Sequence, residues 1–219
     1  MNILIFGATG MIGRGVLREC LLDPTVKRVV TIGRNVAGES HDRLEEIRHT
    51  DLWNYDALEG RLSGFDACFF CLGASGAMSN EKDYTRIAHD GTLAAATVLA
   101  RLNPDMTFIY VSGAGTSATS KVMWARVKGR TENDLLHLPF KAIMFRPAVI
   151  QPLHGARSRT ALYRAFYTLT GPLLTPLRRL FPDAILTTEI MGRAMLTAAR
   201  FGTKRRILES RDIYRLVVT

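Results

Sequence analysis

The chain has only three cysteines in 219 residues, and its five histidines, His41, His49, His89, His137 and His154, show no ligand spacing. Both scarcities bear on chemistry. Cys68-Phe-Phe-Cys71 lies in an apolar run that reads as a strand, so its two thiols point to opposite faces, which spoils a redox pair or a metal clamp. Together with Cys20 they are expected to be inert core thiols, and no metal site is expected. No basic leader precedes Ile3-Leu-Ile-Phe6, and this run meets Gly7 at once, which argues against a signal peptide or a membrane span and predicts a cytoplasmic protein. Internal repeats and low-complexity segments are missing too. The formal charge of +9 would suit nucleic acid or anionic lipid, yet no zinc-finger spacing or RNA-binding aromatic signature accompanies it, which argues against sequence-specific nucleic-acid binding. The same excess would draw a polyanionic dinucleotide into a cleft.

What is present is an alternation of short apolar runs and helical periodicity, at 47% apolar and 22% charged residues, as in one soluble α/β domain over residues 1–219. Strands are predicted at Ile3–Phe6, Arg28–Ile32, Glu46–His49, Ala67–Cys71, Thr107–Val111, Ala142–Phe145 and Arg206–Glu209. Helices are predicted at Met11–Leu22, about Asn80–Leu102, about Lys121–Leu136 and about Thr188–Phe201. Strand and helix in alternation imply parallel pairing and right-handed crossovers, hence a doubly wound Rossmann-type sheet. Between Gln151 and Pro182 four prolines break the chain, and five arginines stand without an acidic residue. A small lid or substrate lobe is expected there, over residues 151–187.

Gly7-Ala-Thr9-Gly10-Met11-Ile12-Gly13 joins the first strand to the first helix. Gly7 permits the tight turn, Gly10 lets backbone approach a pyrophosphate, and Gly13 lets helix pack on strand, while bare helix N–H groups face the phosphates. An NAD enzyme places a carboxylate at the end of its second strand to accept from the ribose hydroxyls. This chain has Gly33-Arg34 there, and a guanidinium suits a 2′-phosphate, with Arg14 as a second contact. NADP is therefore expected over NAD, the alternative being that both arginines are solvated surface charges.

The glycine motif resembles that of extended and atypical short-chain dehydrogenase/reductases. Further matches are Gly33-Arg34, Asp51-Leu52, Cys71-Leu72-Gly73 and Arg146-Pro147-Ala148. The branch it is most similar to is the NmrA-like and Tat-interacting-protein-like group, with epimerase-like relatives. The resemblance implies Asp51 near the adenine amino group, Leu52 against the ring, and Leu72 and Gly73 beside the cofactor; a turn or cap is the alternative role for Asp51. It also implies a serine and a Tyr-x-x-x-Lys pair around the nicotinamide, which correspond here to Ser112, Trp124 and Lys128. Lys128 would reach the nicotinamide ribose and Ser112 a substrate carbonyl. Alternatively Lys128 pairs with Glu132 at i+4, Ser112 begins a loop, and Trp124 packs or stacks on substrate.

Trp124 lacks the phenol that exchanges a proton, and Ala88 stands where relatives keep a supporting asparagine. Three readings follow. The chain is an oxidoreductase or epimerase-like enzyme acting on a small molecule, which recruits water or another group, with Tyr110, His154, Tyr163 and Tyr167 as candidates. Or it is a non-catalytic module sensing the NADPH/NADP balance through a partner. Or it is a structural or membrane-associated protein using its basic lobe. In that lobe Leu162, Tyr163, Phe166, Tyr167 and Leu169 fall near one helical face, suited to a lid, an oligomer contact or an anionic membrane, and Arg157 and Arg159 are candidate contacts for an anionic substrate.

Overall fold

Short apolar runs ending in glycine or polar turns form the strands, and helices carry most of the crossovers between them. The computed structural model describes residues 1–73, 80–156, 176–178 and 180–218. The strands are β1 (Asn2–Phe6), β2 (Arg28–Gly33), β3 (Leu44–Arg48), β4 (Ala67–Phe70), β5 (Thr107–Val111), β6 (Lys141–Arg146), β7 (Val149–Gln151), β8 (Ile185–Thr187) and β9 (Ile207–Glu209). Seven of them make one parallel sheet in the order β3-β2-β1-β4-β5-β6-β9. The chain winds outward from β1 through β2 to β3, then returns to β4 on the other side of β1. That reversal opens a crevice at the carboxyl ends of β1 and β4, where open α/β sheets take ligands.

Period-two alternation sends successive side chains to opposite faces. Ile3, Ile5, Phe69, Ile109 and Phe145 belong to one buried cluster, and Leu4, Phe6, Phe70, Phe108 and Met144 to the other. Helices α1 (Met11–Leu22), α5 (Thr188–Phe201) and α6 (Ser210–Val218) cover the first face. Helices α3 (Gly91–Leu102) and α4 (Met123–Leu136) cover the second. The short α2 (Glu81–Thr85) runs into α3 through one π turn, Arg86–Asp90.

The doubly wound architecture is as expected, with local differences. The third strand lies at Leu44–Arg48 rather than Glu46–His49, because Val29 to Gly33 pair with Leu44 to Arg48 and the ladder sets the register. The single predicted helix over 80–102 is divided by the π turn. The pair β7 and β8, a separate two-stranded parallel sheet, and α6 have no counterpart in the sequence reading. Of the lobe expected over 151–187, residues 157–175 and 179 lie outside the described residues. With them go Arg157, Arg159, Leu162, Tyr163, Phe166, Tyr167 and Leu169. Leu180 and Phe181 are 72% and 54% exposed.

Cys68 and Cys71 face opposite clusters, and Cys20 is buried with the first. Burial pushes all three thiols up, that of Cys71 to about 12, so thiolate chemistry is suppressed.

Candidate functional site

At the mouth of the crevice, β1 turns sharply into α1. Gly7 has φ +79°, and a Cβ there would lie 2.7 Å from the backbone nitrogen of Leu72 at the end of β4. A Cβ on Gly13 would lie 2.1 Å from the Gly7 carbonyl oxygen. The Gly10 N–H donates to that same oxygen at 2.9 Å. Gly10 caps α1 without a side-chain hydrogen bond, and the first turn of α1 holds no acidic residue. The opening N–H groups of the helix, at Met11, Ile12 and Gly13, are therefore uncapped by side chain, as an anion site requires. Met11 and Ile12 turn their side chains onto the core.

A cavity of about 50 Å³ sits beside this turn, lined by Gly7, Thr9, Thr31, Arg34, Asn35 and Leu72 among others. It unites three loops, after β1, β2 and β4. Arg34 is exposed, and among the described residues its guanidinium has no hydrogen-bond or ion-pair partner. Arg14 donates to the Ala37 carbonyl at 3.2 Å, so it braces the loop after β2. Asp51 and Leu52 are not part of this lining. Asp51 Oδ1 accepts from the N–H groups of Trp53 (2.9 Å) and Asn54 (3.3 Å), the turn role left open above, and Leu52 packs toward Gly91. Gly73 is exposed, with open space where a Cβ would be.

Further along the crevice, β5 and α4 bring Ser112, Trp124 and Lys128 together. Lys128 Nζ donates to the carbonyls of Ser112 (2.8 Å) and Val111 (3.3 Å), and lies 5.9 Å from the centre of the Tyr110 ring. Loss of water around this ammonium lowers its pKa to about 8, against a smaller opposing pull from Glu132. The i+4 salt bridge from Lys128 to Glu132 does not form. Glu132 is 1% exposed and is held by Arg146, whose Nε donates to its two oxygens at 3.0 and 3.2 Å. Ser112 is 8% exposed and its Oγ donates inward, to Glu132 Oε1 at 2.5 Å and more weakly to the Phe145 carbonyl. The serine thus ties the end of β5 to a buried ion pair linking α4 and β6. This network escaped the sequence reading, since Glu132 had a nearer cation in sequence and Arg146 comes from another strand.

Trp124 lies against Gly113, where a Cβ would be 3.6 Å from its ring, and packs with Tyr84, Ala88 and Val127. Tyr110 is fully buried, and desolvation, then the neighbouring Tyr84 and Glu132, push its hydroxyl up. It does not face the crevice. His154, at φ 54°, stands after β7 with Nε2 3.2 Å from Glu189. Tyr163 and Tyr167 lie outside the described residues.

Residues 3–131 match the NAD dependent epimerase/dehydratase family. The chain belongs to that family. Among curated proteins it is similar to Protein FMP52-1, mitochondrial, of Scheffersomyces stipitis, with 25% identity over 68% of this chain and 67% of that one. Protein FMP52, mitochondrial, of Saccharomyces cerevisiae is 30% identical over 88% of this chain and 83% of its own length. Protein HTATIP2 of Rattus norvegicus is 26% identical over 68% of this chain and 62% of its own length. Several relatives are thus matched over no more than about two thirds of their length.

Solved structures with this fold include UDP-glucose 4-epimerase (TM-score 0.73, 16% identity, 98% of this chain and 80% of that one). Another is the Bordetella bronchiseptica enzyme WbmF in complex with NAD+ (TM-score 0.71, 13% identity, 98% and 76%). At these identities the likeness is one of fold. The relatives correct one expectation. Several FMP52 proteins at 22–30% identity are named mitochondrial, which points away from the cytoplasm. The apolar run read for location, Ile3 to Phe6, is a fully buried core strand, and its composition reports burial rather than compartment.

Proposed function

We propose that this member of the epimerase/dehydratase family binds NADP(H) in preference to NAD(H) and is an oxidoreductase or epimerase-like enzyme for a small molecule, working without the family's tyrosine. The observation that carries the cofactor choice is Arg34, exposed on the lining of the cavity between the ends of β1 and β2, its guanidinium without a partner among the described residues. The uncapped opening of α1 and the room left by Gly7, Gly10 and Gly13 suit a diphosphate. Bound there, the nicotinamide cofactor supplies hydride chemistry. Lys128, with two N–H groups committed to backbone carbonyls, would orient the ribose and keep a positive charge beside it. Ser112 would act through Glu132 rather than by donating to a substrate carbonyl, because its proton is directed inward.

A second reading is favoured by one specific feature. Where the family's tyrosine and asparagine correspond to Trp124 and Ala88, these two pack with Tyr84 and Val127 in a small apolar cluster, an arrangement suited to a module that senses the NADPH/NADP balance without turnover.

Thermal unfolding with each nucleotide tests the cofactor choice. At about 100 times Kd a ligand adds roughly 2.7 kcal/mol of stability. NADPH is expected to stabilise at concentrations where NADH does not, and Arg34→Ala is expected to abolish the difference; equal responses to both nucleotides in the wild type would refute the assignment. NADPH consumption with a panel of carbonyl compounds separates the two readings. Wild-type turnover lost in Lys128→Ala supports the enzyme. Tight binding with turnover appearing only in Trp124→Tyr supports the sensor.

A further inference from the structure

We propose that Glu46 is a positioning residue for recognition of the 2′-phosphate, acting by clamping the loop that carries Arg34; the proposal rests on the NADP(H) reading above. The loop from Arg34 to Gly38 leaves β2 and must find partners for its N–H groups away from the ladder. Glu46, on the adjacent β3, provides them. Its Oε2 accepts from the Ala37 N–H at 2.5 Å, and its Oε1 from the Gly38 N–H at 3.0 Å. Thr31, which lines the cavity, donates to Oε2 at 3.3 Å. Arg14, on α1, donates to the Ala37 carbonyl. The loop is thus tied at Ala37 to both β3 and α1, three residues beyond Arg34.

Two consequences follow for Arg34. Its backbone is held before any ligand arrives, so less freedom is lost when a phosphate binds. And Glu46, the carboxylate beneath this loop, commits both oxygens to backbone donors and leaves the guanidinium unneutralised. Ionised acceptors form hydrogen bonds about twice as strong as neutral ones, so an amide in its place would loosen the grip and turn one N–H₂ toward an N–H.

The proposal has a sign opposite to that of simple electrostatics. Were Glu46 merely a negative charge near the site, Glu46→Gln would relieve repulsion and tighten NADPH binding. If it positions the loop, the same change weakens NADPH while sparing NADH, which has no 2′-phosphate to meet Arg34. A second variant probes the loop from its other end. Gly38 has φ +75°, and a methyl group there would meet nothing within 4 Å, so Gly38→Ala strains the loop conformation without a clash.

Calorimetric titration of the full chain with NADPH and with NADH tests this. Expected is an NADPH preference in the wild type, a loss of NADPH affinity of about tenfold in Glu46→Gln, and NADH affinity held within about twofold. Gly38→Ala should show the same selective loss. An unchanged NADPH to NADH ratio, a gain in NADPH affinity, or an equal loss for both nucleotides in Glu46→Gln overturns the proposal. Should Glu46→Gln fail to fold by circular dichroism, an unchanged ratio in Gly38→Ala overturns it instead. A wild type without preference would sink the NADP(H) reading itself, a result distinct from a preference that survives Glu46→Gln.

Discussion

Gly13→Ala adds one methyl group at the point where α1 crosses β1, and its effect can be worked from the distances. The new Cβ would sit 2.1 Å from the Gly7 carbonyl oxygen, 2.7 Å from the Gly7 carbonyl carbon and 3.0 Å from Ala8 Cα. All three are backbone atoms, so no side chain can swing aside, and ordinary contact demands a separation larger by about 1 Å or more. Gly7 has little room to retreat, since the space beside its Cα is filled by the backbone of Cys71 and Leu72. Moving helix from strand would also break the hydrogen bond from Gly10 N–H to Gly7 oxygen. Overpacking of this kind costs about 1–3 kcal/mol and the lost bond about 1 kcal/mol more, for a destabilisation of about 2–4 kcal/mol. Each kcal/mol moves the melting temperature by about 2–4 °C in a domain of this size. Dinucleotide affinity should fall as well, because the displaced atoms belong to the phosphate-facing turn. Gly60, with open space at its Cβ position and no positive φ, is the control, and Gly60→Ala should stay within about 0.5 kcal/mol of wild type. Denaturant unfolding and calorimetric titration read both quantities. Equal midpoints and equal affinities for Gly13→Ala and wild type would refute the account of the turn.

Arg146→Met leaves Glu132 charged and buried without its cation, and is expected to lose about 3–5 kcal/mol in urea unfolding, whereas Arg146→Met with Glu132→Met in the same chain should recover much of it. If single and double variants unfold alike, the pair does not work as a unit. Lys128 gives a pH signature. Its folded pKa of about 8 lies below its ordinary 10.5, so the unfolded chain holds the proton more tightly and stability from this group rises with pH between those values. Lys128→Met should flatten the rise in urea midpoint over that window; an identical slope in both proteins would contradict the assigned cause.

The order of strands and helices was legible because its signals are local. The apolar run from Ile3 to Phe6, glycines at 7, 10 and 13, and helical spacing from Met11 onward are properties of short windows, and each corresponds to an observed element. The pair β7 and β8 was not legible, since it forms between segments separated by about 33 residues and apart from the main sheet. Nor was the π turn at Arg86–Asp90, which interrupts a periodicity that the sequence continues through it.

At the site the division has the same origin. Sequence by itself determined the glycine turn, the arginine rather than a carboxylate after β2, and tryptophan one turn before Lys128, because each depends on residue identity at a fixed offset. Tertiary structure alone decided which groups satisfy one another. It gave Glu132 to Arg146 and Ser112 instead of Lys128, turned Tyr110 into the core, and set Glu46 under the loop of Arg34. A buried charge takes the partner that packing brings within hydrogen-bond reach, and sequence separation carries no information about that distance.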